Sequence, residues 1–253
     1  MAVRGLGSRM VVAGSLPLPG ACALAAADRE AIVFELDEVA LGYRGDPVIS
    51  RLTGSFDRAS MTAIVGPNGA GKTTLLKALL GTVAPLSGRI RRLASPRDIA
   101  YLPQLSGVDR AFPITVGDFV STGLWSSIGS FRAVDRRQSD RIDEAIANAG
   151  LAGGADAWLQ DLSGGQFQRA RFARLSLQDA PVVLLDEPFA AIDHRTVDDL
   201  MSTITRWHAE GRTIAVVMHD LELVRRHFPR TLALGGADIA WGDTSSSLAA
   251  IQS

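Results

Sequence analysis

The chain has 253 residues, 47% of them hydrophobic, and a formal net charge of −1. That is enough apolar content for one sizeable core with room for an inserted subdomain, and the near-neutral balance excludes a global electrostatic case for nucleic-acid binding. The one cysteine, Cys22, can form neither an internal disulfide nor a cysteine-based zinc site, which fits a reducing, cytosolic setting.

Residues 1–30 differ from the rest. Arg4 and Arg9 precede a small and apolar stretch from Met10 to Ala27, a pattern like a poor secretory signal with a cleavage region at Ala25-Ala26-Ala27. Gly14, Pro17, Pro19 and Gly20 interrupt it, so it is no convincing spanning helix. The expectation is a disordered N-terminal extension over 1–30, with Met10 an alternative start. No later segment approaches the ~20 apolar residues that cross a bilayer, so any membrane role must come through a partner.

Next come short strands at Ile32–Leu36 and Ala40–Tyr43 and a Gly45-Asp46-Pro47 turn. Met61–Val65 is a compact apolar run that stops at Gly66, and Lys72–Leu80 has helical character with Gly81 as its stop. Between them Gly66-Pro67-Asn68-Gly69-Ala70-Gly71-Lys72-Thr73, followed by Thr74, fits G-x-x-x-x-G-K-[ST] in the strand-to-helix context that a phosphate loop requires. The glycines let backbone N–H groups wrap a phosphate chain, and the helix start turns its positive dipole end to the anion. Lys72 is expected to bridge the β- and γ-phosphates of ATP, and the Thr73 hydroxyl to hold Mg²⁺. The basic run Arg89, Arg91, Arg92 and Arg97 reads as a solvated face.

Ile99–Leu102 is a further strand candidate, and helix-like pieces dominate 105–177, with turns at Gly129 and Gly153-Gly154. Within them Ile142, Ala145, Ile146 and Ala149 follow amphipathic-helix spacing. Strand signals return at Val182–Leu185, a continuous apolar run of the kind buried on both faces of a parallel sheet. Thr196–His208 reads as helix, Thr213–Met218 as strand and Asp220–His227 as helix. Alternating strands and helices imply an α/β layered core with a helical insertion. The run ending in Asp186-Glu187 delivers two carboxylates to the strand edge where open α/β sheets bind ligands. Asp186 suits an Mg²⁺-holding role, and Glu187 is placed to orient or deprotonate an attacking water.

Leu162-Ser163-Gly164-Gly165-Gln166, followed by Phe167-Gln168-Arg169, resembles the signature of ABC-type ATPases. By chance such a pentapeptide occurs in well under about 0.1% of chains this long, so the match decides the family reading. The resemblance covers about residues 32–245. It implies a P-loop NTPase (RecA-like) core with an inserted α-helical subdomain, about 105–177, and an N-terminal antiparallel β subdomain, together making one nucleotide-binding domain over 31–253. Further roles follow from it. Tyr43 would stack on adenine, and Gln104 would touch Mg²⁺ and sense the γ-phosphate. Asp193 would lie in the loop between two ATP sites, and His219 would contact the γ-phosphate. Ser163, Gly164, Gly165 and Gln166 open a helix whose start forms a second phosphate-binding end.

The family pattern also implies a head-to-tail dimer in which the signature of one copy completes the ATP site of the other. Integral membrane permease subunits would be the further partners, with the chain cytoplasmic and peripheral on the inner face of the membrane. Phe112-Pro113-Ile114-Thr115-Val116-Gly117-Asp118-Phe119-Val120, the Gly164–Arg169 run and Phe189-Ala190-Ala191-Ile192-Asp193 are similar to ATPases of zinc and manganese importers. That branch implies metal uptake with a periplasmic or extracellular solute-binding protein, and metal selectivity lodged in those other subunits. Another cargo for the same engine, an iron–siderophore or an export substrate, stays open, as does a soluble ABC protein without a transport role.

Overall fold

The structure, a computed structural model, describes residues 31–105, 112–129, 134–235 and 238–250. The extension anticipated for 1–30, with Cys22, lies outside the described residues. The two short strands expected at 32–36 and 40–43 are one, β1 (Ile32–Tyr43). It kinks between Leu36 and Val39, where its register with the neighbouring strand shifts and Glu38 takes φ 48°, as at a β-bulge. The turn falls on Arg44-Gly45, at φ 55° and 91°, between the paired residues Tyr43 and Asp46. Two left-handed central residues are what a two-residue hairpin demands. Asp46 and Pro47 therefore belong to β2 (Asp46–Asp57), a strand the sequence reading missed. Its buried apolar residues, Ile49, Leu52 and Phe56, are spaced three and four apart because register shifts interrupt the pleat, so no period of two is visible.

The remaining strands are β3 (Met61–Val65), β4 (Ser87–Arg92), β5 (Ile99–Leu102), β6 (Val182–Asp186), β7 (Thr213–Val217), β8 (Arg230–Gly235) and β9 (Asp238–Asp243). The helices are α1 (Lys72–Leu80), α2 (Val116–Ser121), α3 (Trp125–Ile128), α4 (Arg136–Asn148), α5 (Gly164–Leu177), α6 (His194–Ala209), α7 (Leu221–His227) and α8 (Thr244–Ala250). A three-stranded antiparallel sheet has the order β2-β1-β4, and a six-stranded sheet the order β5-β6-β7-β3-β8-β9. In the larger sheet neighbours run parallel until β9, which is antiparallel to β8.

Every residue of β3, β6 and β7 is buried, which accounts for their unbroken apolar runs. On one face Ala63, Val65, Leu185 and Val216 pack with Leu200, Ile204 and Trp207 of α6 and Val224 of α7. On the other, Ile64, Leu184 and Val217 pack with Leu75, Leu76 and Leu79 of α1 and with Phe34, Leu41 and Ile49 of the antiparallel sheet. Each fully buried Val, Leu, Ile or Phe side chain among them contributes about 1.5–3 kcal/mol. The phosphate-loop helix is thus wedged between the two sheets.

A third cluster is all helical. Ile142, Ala145 and Ile146 of α4 pack on Phe167, Ala170 and Ala173 of α5 and on Val116 and Val120 of α2. Helix α5 also sends Phe172 and Leu175 into the sheet-facing core. Among the described residues it is the one element with buried side chains in both cores. The basic run is more than a solvated face: Arg91 pairs with Glu35 at 2.6 Å, and Arg92 donates to the carbonyls of Ala78 and Leu79 at 2.7 and 3.0 Å. Arg92 thereby caps the C-terminal end of α1.

Candidate functional site

The C-terminal ends of β3, β5, β6 and β7 open into one cleft of about 630 Å³, lined by Tyr43, Val48, Asn68, Gly69, Gly71, Lys72, Thr73, Thr74, Gln104, Glu187 and His219. The phosphate loop forms its floor. Gly66 takes φ 152°, and a Cβ there would lie 2.3 Å from the carbonyl oxygen of Leu234 on β8. Gly71, at φ 90°, precedes the first residue of α1. Only glycine permits both the backbone and the close approach. Lys72 donates from Nζ to the carbonyls of Gly66 and Pro67 at 2.8 and 2.9 Å, which folds the loop around the ammonium. Burial lowers the Lys72 amine, and the charges of Glu187 and Asp186 oppose that shift. Ala70 closes the loop by donating from its amide to the Pro67 carbonyl at 3.2 Å.

Sheet order explains the side of the cleft formed by Gln104, Glu187 and His219. Strand β6 lies between β5 and β7, with Leu102 opposite Leu185 and Asp186 opposite Val217. Gln104 follows β5 by two residues, Glu187 follows β6 by one, and His219 follows β7 by two. Three positions distant in sequence are therefore brought side by side with Glu187 in the middle. Its carboxylate accepts from Gln104 Nε2 at 2.8 Å and lies 2.7 Å from His219 Nε2. Glu187 itself sits at φ 50°, a left-handed conformation costly for a non-glycine residue.

Asp186 is 1% exposed. Its Oδ1 accepts from Thr73 Oγ1 at 3.1 Å and its Oδ2 from Tyr101 Oη at 3.3 Å. Burial pushes the Asp186 carboxyl up; those two hydrogen bonds oppose the shift and the charge of Glu187 adds to it. A buried carboxylate beside a threonine hydroxyl, with an amide nearby, is an all-oxygen donor set suited to a hard divalent cation, which would relieve the cost of burying the charge. The residues fit Mg²⁺. Tyr101 was missed from the sequence. Its only signal is a place three residues before Gln104 on a strand next to β6.

Ser163, Gly164, Gly165, Gln166 and Asp193 do not line this cleft. They form a second constellation. Ser163 caps α5: its Oγ accepts from the Gln166 amide at 3.2 Å, and Gln166 Oε1 accepts from the Ser163 amide at 2.9 Å. That is a complete capping box. Asp193 caps α6, accepting from the Thr196 amide at 3.0 Å and the Thr196 hydroxyl at 2.8 Å. The two caps adjoin, since a Cβ on Gly165 would lie 3.3 Å from Asp193 Oδ2 and one on Gly164 would lie 3.5 Å from the Ala191 carbonyl. Two glycines open the turn at the α5 start, so its amides stay uncrowded by side chains of their own.

The profile of the ABC transporter family matches residues 49–190. The zinc transport system ATP-binding protein TroB of Treponema pallidum (strain Nichols) is 38% identical over 222 residues, covering 86% of this chain and 84% of that protein. The manganese transport system ATP-binding protein MntB of Bacillus subtilis (strain 168) is 34% identical over 217 residues, covering 84% and 87%. Among solved structures, a transporter assigned to the metal-chelate ABC type, in an inward-facing conformation, matches with a TM-score of 0.77 at 26% identity, over 87% of this chain and 89% of that one.

Proposed function

This chain belongs to the ABC transporter family as an ATP-binding, ATP-hydrolysing subunit, and we propose that it powers import of a metal ion of the zinc or manganese kind through a partner membrane permease. The observation that carries the cargo reading is the likeness, over most of both chains, to relatives named for zinc and for manganese transport. Among the described residues no helix is long and apolar enough to cross a membrane. From the likeness to transport-system ATP-binding proteins, the proposed place is the cytoplasmic face, held there by the permease, with a solute-binding protein delivering the metal from outside. The helices from Val116 to Leu177 form the proposed helical subdomain that meets the permease.

In this reading Tyr43, 53% exposed at the cleft mouth, stacks on adenine. The loop amides from Asn68 to Thr74 and the Lys72 ammonium receive the phosphates. Thr73, Asp186 and Gln104 hold Mg²⁺, which when bound neutralises charge on the transferring phosphoryl group. Glu187 accepts the proton of the attacking water. His219 and Gln104 fix the Glu187 carboxylate through the two hydrogen bonds described above and meet the γ-phosphate. Ser163, Gly164, Gly165 and Gln166 are offered to the nucleotide of a second copy, because they stand apart from the chain's own cleft, and Asp193 lies between the two sites. One copy holds two halves of different sites, so a head-to-tail dimer completes both.

The test is uptake of radioactive zinc and manganese by cells lacking this chain. Wild-type protein restores uptake of one of them and Lys72→Ala does not. Unchanged uptake of both metals in cells without the chain overturns the cargo reading.

A further inference from the structure

Two buried side chains of α5 tie the signature helix to the loops that carry Gln104 and Glu187. Gln168 and Arg171 are 1% and 3% exposed and lie three residues apart, hence on one face of the helix. Arg171 Nη1 donates to Gln168 Oε1 at 2.8 Å, and Arg171 Nη2 donates to the carbonyl of Pro103. Gln168 Nε2 donates to the carbonyl of Pro188 at 2.6 Å. Pro103 immediately precedes Gln104, and Pro188 immediately follows Glu187. Gln104 and Glu187 are themselves joined at 2.8 Å. The links close into a ring running from Gln104 to Glu187, Pro188, Gln168, Arg171, Pro103 and back.

Packing alone does not account for this ring. None of the ion pairs among the described residues includes Arg171. Burial, with the nearby charge of Arg174 adding to it, lowers its guanidinium to about 10, while Tyr101 opposes the shift. A buried cation satisfied only by a carbonyl and an amide oxygen costs more than an apolar side chain of the same volume would. What the guanidinium alone supplies is reach and direction: a rigid planar fork that bonds two acceptors at once. The Pro103 carbonyl shares a rigid peptide plane with the Gln104 nitrogen, and the locked φ of Pro188 removes one of the two soft rotations between its carbonyl and Glu187.

We propose that Arg171 and Gln168 are positioning residues for ATP hydrolysis, setting the Gln104–Glu187 contact from the position of the signature helix. The inference rests on the proposed role of Glu187 as base and goes beyond it. It links the signature, offered to the partner's nucleotide, to the hydrolytic pair of this chain's own site. A shift of α5 carries the Pro103 and Pro188 carbonyls together, and with them the two side chains that face the attacking water.

The experiment compares Arg171→Met with wild type in steady-state ATPase kinetics, titration with a fluorescent ATP analogue, and thermal unfolding. The expected result is a kcat at least about tenfold lower, as small misplacements of catalytic groups produce. KM and analogue affinity stay within about twofold, since uniform binding is untouched. The Tm is unchanged or raised, because a buried charge has been removed. In a Gln104→Ala background, where the ring is already open, Arg171→Met causes a much smaller further loss of kcat. Arg171→Lys, which keeps the charge and loses the fork, also lowers kcat, and it serves in place of Arg171→Met if the latter does not fold. A folded variant with kcat within about twofold of wild type, or an equal loss in both backgrounds, overturns the proposal. Glu187→Gln in the same assay separates the two ideas. Normal turnover there removes the base, whereas lost turnover there beside an unaffected Arg171 variant removes only the ring.

Discussion

Glu187 Oε1 lies 2.7 Å from Nε2 of His219, and Glu187 makes that contact from a left-handed backbone at φ 50°. The strain, on the order of 1–3 kcal/mol, persists because neighbouring strands β6 and β7 deliver the two residues to one point. His219 is therefore expected to act on the chemical step more than on binding. His219→Ala should lower kcat by about 10²-fold while ATP affinity holds, the pattern of a positioning contact. Steady-state kinetics with an independent binding titration checks this, and a raised KM with unchanged kcat contradicts it.

Lys72 folds the phosphate loop through the Gly66 and Pro67 carbonyls and also lines the cleft. Lys72→Ala should weaken ATP binding by about tenfold or more, as for a lost charge-assisted contact. Isothermal titration measures it. Unchanged affinity means that Lys72 makes no contact with the nucleotide's phosphates.

Asp186 links site chemistry to stability. Its ordinary value is 3.8, and in the fold it is raised, burial being the largest cause. Above that ordinary value the folded state holds the proton longer than the unfolded chain does, so stability falls as pH rises through the window between the two values. Asp186→Asn removes the falling contribution. Thermal unfolding of the nucleotide-free proteins from about pH 4 upward should show wild type losing stability relative to Asp186→Asn. Addition of ATP with Mg²⁺ should then stabilise wild type more than the variant. Parallel pH curves, or equal stabilisation by the nucleotide, count against the assignment.

Arg92 gives a purely structural prediction. Its two bonds to the Ala78 and Leu79 carbonyls cap α1 from β4. Arg92→Ala should cost about 1 kcal/mol of stability, the usual worth of such hydrogen bonds at a partly exposed site, and leave ATP affinity unchanged. Denaturant unfolding decides it, and no loss of stability shows that the cap is idle.

What could be read from the residues was what repeats a local rule. Met61–Val65, Val182–Leu185 and Thr213–Met218 declared themselves because strands buried on both faces are apolar throughout. Helix α4 showed its apolar spacing, and the phosphate loop its glycines. β2, β4, β8 and β9 stayed hidden; β2 has its alternation broken by register shifts, and β4, Ser-Gly-Arg-Ile-Arg-Arg, has a single apolar residue. Arg92 read as solvated because its partners are backbone carbonyls, which no side-chain pattern announces. The roles of Tyr101, Gln168 and Arg171 are equally hidden, because Tyr101 bonds a carboxylate 85 residues away and the other two reach the carbonyls of Pro188 and Pro103. Their significance lies in contacts across the sheet order β5-β6-β7, invisible until Gln104, Glu187 and His219 stand side by side.

In the proposed function each chain holds two unlike half-sites. Glu187→Gln keeps the phosphate loop, Asp186 and the signature while removing the proposed base. Its molar mass by light scattering with saturating ATP and Mg²⁺ tests the claim most directly. The mass should be twice that of the chain, and adding Gly165→Asp, which places a carboxylate at the α5 start, should return it to a single chain. A single-chain mass for Glu187→Gln at saturating ATP, or a dimer indifferent to Gly165→Asp, would contradict it.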